Sequence, residues 1–187
     1  MVKIKGTVLN DAVKAVKAQL GDQVYDAIVD LLEGETRALF ERAFILSSNW
    51  YSLDAFVQFL EMDLKVTAQG NEQVLIKWSE ASTERQLRGV YHMFAESESP
   101  ELVIQRIAGV HQTYFQGVGI EASLLSAGKA ILKYTGFAKR HRLIGLTIIG
   151  FFRKALEMAG AKAVKAEYTT LIEDDKGYCE LVLSWSE

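Results

Sequence analysis

The side chain in this sequence best placed to do chemistry is the imidazole at position 111. It lies in SPELVIQRIAGVHQTYFQG, residues 99–117, where Pro100 suits a first helical turn and Ser99 suits the cap before it. An imidazole on such an amphipathic helix has two uses. A ring nitrogen can ligate a metal, or the ring can pack half-buried with one hydrogen bond. One histidine alone specifies no metal. His92 and His141 read as exposed.

The rest of the chain adds no catalytic constellation. There is no nucleophile elbow, dinucleotide fingerprint or HExxH, and GVGIEASLLSAG has glycines without the spacing of a phosphate loop. The acidic run at 173–175 falls in an expected turn, where such residues are favoured for turn reasons. The lone Cys179 excludes an internal disulfide and any multi-cysteine metal site, and it reads as a small buried filler in a strand. The expectation is a protein that is not an enzyme.

The elements that must position His111 follow from periodicity. TVLNDAVKAVKAQL, closed by Gly21, and DQVYDAIVDLL, opened by Asp22, have helical spacing, as does ETRALFERAFIL. SSNWYS breaks the pattern and caps LDAFVQFLEMDLKV, and after TAQGN the segment 71–96 reads as one long helix ahead of the helix at Pro100. From Gly117 the grammar changes: GIEASLLSAGKAILKYTGF reads as a hairpin, HRLIGLTIIGFFRKALEMAG as a helix, and KAVKAEYTTLIE with YCELVLSW as a second hairpin. The expectation is a single α+β domain over 1–187, with a helical part (1–116) and a part (117–187) whose β-β-α-β-β order makes a four-stranded antiparallel sheet under a packed helix. Gly145 and Gly150 stand inside that helix, where each costs about 1 kcal/mol relative to alanine. Close packing or ligand access would compensate.

The chain has 187 residues, 49% hydrophobic and 24% charged, with one proline, as an ordinary globular domain does. The start lacks the apolar run of a secretory signal. The greasiest stretch, LIGLTIIGFF, is about half a membrane span. A cytoplasmic location without a membrane span is expected. A net charge of −3 gives no reason to expect a nucleic-acid partner. The charge is unevenly spread, with nine acidic side chains against Arg37 and Arg42 over 22–63, and nine Lys or Arg against Glu157 over 129–165. Solvated faces that attract each other within the fold, or a basic patch including Lys139, Arg140 and Arg142 for an anionic or acidic partner, both fit this pattern.

The opening IKGTVLNDAVKAVKAQLGDQVYDAIV and the ending GFFRKALEMAGAKAVKAEYTTLIEDDKGYCELVLSW resemble the superfamily that holds haem nitric-oxide/oxygen-binding domains, the 4-vinyl reductase domain and a class of small TRAPP subunits. The middle, NWYSLDAFVQFLE and SPELVIQRIAGVHQTYFQG, is most similar to an uncharacterised paralogous family expanded in myxobacteria. In haem domains, the resemblance implies, a helix histidine holds the iron and a Y-x-S-x-R motif clamps the propionates. His111 and Tyr134 match; Gly136 and Ala138 stand in place of the Ser and Arg, with Lys139, Arg140 or Arg142 as substitutes.

The first expectation is therefore a haem-free, cytosolic sensory or adaptor domain that binds an apolar small molecule or a signalling protein and passes on its state by contact. Trp50, Tyr51, Phe56, Phe59, Tyr114, Phe115, Phe151 and Phe152 are the candidate pocket walls, although each such aromatic also serves as plain core. The alternative is a haem-based gas sensor with His111 as axial ligand and Tyr134 at the propionates. A homodimerisation module is the third reading.

Overall fold

The computed structural model describes residues 1–42, 44–88 and 99–186. It is an α+β structure with antiparallel sheets of three and four strands, and the chain divides into two compact units. One comprises Met1–Val74 with Tyr114–Gly117; the other comprises Leu75–Thr113 with Val118–Glu187. The division does not follow the change of pattern at Gly117, because residues 75–113 belong with the four-stranded sheet.

In the first unit, β1 (Lys3–Lys5) leads into α1 (Gly6–Leu20), α2 (Asp22–Asp30) and α3 (Gly34–Glu41). Gly21 ends α1 at φ 89°, a conformation that costs a residue without a Cβ little. The third helix is shorter than the sequence suggests and Phe44–Leu46 lie outside it. SSNWYS is more than a break: Trp50–Ser52 form β2, followed by α4 (Leu53–Thr67). β2 and the two-residue β3 (Phe115–Gln116) pair antiparallel with either edge of β1, so Ile4 faces Tyr51 on one side and Phe115 on the other. Ile4, Leu9, Ile28, Phe40, Leu53 and Phe59 are buried in this unit, and the Phe40 and Phe59 rings stack at 4.5 Å.

The second unit holds α5 (Val74–Arg88, but for its first residue), α6 (Pro100–Tyr114, but for its last), β4 (Gly119–Ser126), β5 (Lys129–Thr135), α7 (Arg142–Met158), β6 (Lys162–Thr170) and β7 (Tyr178–Ser186). The long helix expected over 71–96 is seen as far as Arg88, and 89–98 lie outside the described residues. Ser99 takes its expected place, its hydroxyl accepting from the Leu102 N–H at 3.4 Å. The two hairpins form the expected sheet in the order β4-β5-β7-β6.

Strict alternation turns Ala130, Leu132 and Tyr134 of β5, and Cys179, Leu181 and Leu183 of β7, to the buried face. Both helix glycines are explained by packing. A Cβ at Gly145 would sit 3.5 Å from Tyr168 and Ile172, and one at Gly150 would collide with the Ile76 carbonyl, so Gly150 lets α7 approach α5 at backbone distance.

Candidate functional site

His111 lies in the last turn of α6 and is 4% exposed. Seven residues earlier, Ile104 is buried too, which is the spacing of one helix face. The period-two alternation of β5 brings Tyr134 beneath it. Tyr134 is wholly buried, with its hydroxyl 2.8 Å from His111 Nδ1. Phe151 and Phe152, from α7, complete the surroundings at ring separations of 5.0 and 5.4 Å from the imidazole. The cluster continues through Phe137, 5.9 Å from Tyr134 and 6.1 Å from His141.

Burial fixes the protonation of this pair. Desolvation lowers the His111 pKa to about 3, so the ring is neutral. It pushes the Tyr134 phenol well above its usual value, so that group keeps its proton. Among the described residues, His111 Nδ1 is the acceptor within reach of the phenolic proton. If Nδ1 donated instead, a buried hydroxyl proton would be left without an acceptor, at about 1–3 kcal/mol. In the tautomer that satisfies the phenolic proton, Tyr134 donates to Nδ1. The imidazole then carries its own proton on Nε2.

That assignment bears on haem. An iron ligand needs a lone pair on the coordinating nitrogen, and a ligating histidine normally donates its other N–H to a fixing partner. In that tautomer Tyr134 takes the opposite role and Nε2 is a donor, whereas with the ring proton on Nδ1 the phenol accepts and Nε2 presents its lone pair. At the carboxylate end the clamp pattern is incomplete. Tyr134, the match to the first clamp residue, spends its hydroxyl on His111, while Gly136 and Ala138 offer no side-chain donor. Lys139, Arg140 and Arg142 are exposed on and beside the short 3-10 turn Lys139–His141.

One expectation about the histidines is corrected. His141 is buried, not exposed, at 1%. Its Nδ1 accepts from the Ala138 N–H at 3.1 Å, so the ring folds back over its own turn and seals it. His92 lies outside the described residues. No signal in the sequence distinguishes His141, since its partner is a backbone amide. Phe137 carries a signal of its own, an aromatic residue two positions beyond the end of β5 at Thr135.

The aromatic pocket candidates are divided between the two units. Phe151 and Phe152 surround His111. Phe56 and Phe59 are buried in α4, Trp50 and Tyr51 are half-buried in β2, and Tyr114 and Phe115 belong with the first unit. Lys5 lies over the Trp50 ring at 4.5 Å, and the Tyr51 hydroxyl accepts from the Leu46 N–H at 2.8 Å.

Cys179 is buried opposite Tyr134 on the neighbouring strand, and desolvation lifts its thiol to about 12. That makes it a packing group rather than a nucleophile. Glu173–Asp175 form a turn in which Asp174 accepts from the Leu171 N–H. No group of three or more potential metal ligands occurs among the described residues. Nor is any described helix long and apolar enough to cross a membrane.

No protein-family model and no curated protein matches this chain. Solved structures do. The Fe(II) unliganded H-NOX protein from K. algicida is similar over 98% of this chain and 97% of its own, with a TM-score of 0.76 at 15% identity. The S. oneidensis H-NOX protein in the Fe(II)NO ligation state gives 0.70 at 16% identity over 98% and 100%. A mutant H-NOX domain of T. tengcongensis gives 0.73 at 11% identity over 98% of each chain. These neighbours bear on the haem-domain part of the sequence resemblance; the 4-vinyl reductase, TRAPP and myxobacterial parts rest on sequence motifs alone. Identities this low speak to architecture, and the chain has the fold of the H-NOX domains.

Proposed function

We propose that this chain is a non-enzymatic sensory domain on the H-NOX fold, which binds an apolar small molecule or a protein partner and passes on its state by contact, without haem on His111. The observation that carries the reading is the closed Tyr134–His111 pair. A neutral imidazole whose Nδ1 is occupied and whose rim is packed by Phe151 and Phe152 suits a structural core. The shared fold along nearly the whole chain supports the sensory role.

A haem-based gas sensor is the second reading, and the comparisons favour it. The similar structures are H-NOX proteins described in Fe(II) and Fe(II)NO states. In that reading His111 would hold the haem iron, Lys139, Arg140 and Arg142 would pair with the haem carboxylates, and the haem would supply the gas-binding chemistry. It requires the His111–Tyr134 hydrogen bond to reverse its direction.

The absorption spectrum of the purified protein before and after adding hemin separates the two. The proposal expects no Soret band that depends on His111. A sharp Soret band that shifts with NO or CO and disappears in His111→Gln, a variant able to keep a hydrogen bond to Tyr134, overturns it and establishes the gas sensor.

A further inference from the structure

The two edges of the four-stranded sheet are built differently. The β6 edge carries exposed Lys162, Lys165 and Glu167, two register shifts, and Ala163 at φ 49°. Charges and bulges of this kind keep an edge from pairing with another chain. The β4 edge has almost none of this. Over eight residues, GIEASLLS, its one charge is Glu121, and its one register shift falls at the turn, between Leu124 and Ser126. No strand among the described residues pairs with its outer side.

Burial across the sheet points the same way. Tyr134, Leu132 and Ala130 of β5 are fully buried, yet their direct partners on β4 are not. Ile120 and Ala122 are half-buried and Leu124 is 37% exposed, with Leu125 at 54% on the opposite face. Among the described residues the apolar row of the inner face thus runs out to the edge and is covered there only in part. A further strand in the same sheet would cover it.

We propose that β4 pairs antiparallel with β4 of a second copy of this chain, about a two-fold axis at Ala122, making one continuous eight-stranded sheet. The strand's own pattern selects this partner and register. On the inner face Ile120 meets Leu124 of the second copy and Ala122 meets its counterpart, extending the apolar row across the axis. On the outer face Glu121 meets Ser123 and never another Glu121. Opposite positions on paired strands are where like charges are most unfavourable, so this register avoids the strand's single electrostatic conflict. The contact is isologous and closes at two copies. It is distinct from the basic segment around Lys139, Arg140 and Arg142.

The test is the mass in solution over a concentration series, by light scattering or sedimentation, for the whole chain and three variants. The wild type is expected to reach twice the chain mass. Ser123→Glu, an exposed change, sets a glutamate against Glu121 twice per dimer and returns the mass to one chain. Adding Glu121→Lys to it converts both conflicts into opposite-charge pairs and restores the doubled mass. Ala122→Cys forms an intermolecular disulfide under mild oxidation, since its two copies face each other across the axis while Cys179 is buried. A single-chain mass for the wild type at every concentration overturns the proposal, as does a dimer that Ser123→Glu leaves intact.

Discussion

Asp63 in the first unit and His111 in the second are both 4% exposed, yet their surroundings satisfy them over different distances. The Asp63 carboxylate accepts from the Thr67 hydroxyl at 3.1 Å, four residues along the same helix, so any helix with that spacing brings the two together. His111 meets Tyr134, 23 residues away, only because α6 and the first hairpin of the sheet come together in the folded unit. Desolvation is the first cause of both shifts and acts in opposite senses. It raises the acid to about 6, partly opposed by Thr67, and lowers the base to about 3. The first pair belongs to one helix and the second reports on the assembly of a whole unit.

Breaking the long-range pair should have the largest effect. His111→Leu strands the Tyr134 hydroxyl in the core and is expected to cost about 2–3 kcal/mol in urea unfolding. Tyr134→Phe should cost a similar amount. The double variant, with neither polar group left, should lose less than the sum by about 1 kcal/mol or more, as directly coupled residues do. Additive losses would mean that the two groups are not hydrogen-bonded.

A pH series sharpens the contrast. The unfolded chain protonates His111 near its ordinary value of 6.5, whereas the folded chain resists until about 3. This contribution is complete above about pH 6.5 and is lost progressively as the pH falls towards 3. Asp63 works the other way. Its folded pKa of about 6 lies above its ordinary 3.8, so its contribution is present at low pH and lost as the pH rises through that window. Over the range in which both act, the wild-type advantage over His111→Gln should shrink on acidification, while that over Asp63→Asn should grow. Advantages that do not change with pH would remove burial as the cause of both shifts. Asp63→Asn at neutral pH should give the smallest effect, about 1 kcal/mol or less, because Thr67 also donates to the Asp63 backbone carbonyl.

The same distinction explains what could be read from the sequence. Gly21 after α1, Ser99–Pro100 before α6 and the alternation in both hairpins are local signals, and each marks a feature the structure contains. β1 was not legible. Its three residues, two of them lysines, are a strand only because Trp50–Ser52 and Phe115–Gln116 lie on either side. His141 failed for a similar reason: a histidine between two arginines looks solvated until its turn folds over it. His111 and Tyr134 each stand out in the sequence, but their pairing is a tertiary fact.

The direction of that hydrogen bond is the most direct test of the account. Nitrogen-15 NMR of the imidazole, read through long-range couplings to the ring protons at about pH 7 and again at about pH 5, identifies which nitrogen holds the proton. The account predicts a neutral ring protonated on Nε2, with Nδ1 accepting a hydrogen bond, at both pH values. A proton on Nδ1, or a ring that titrates near 6.5, would contradict it and reopen His111 as a ligand.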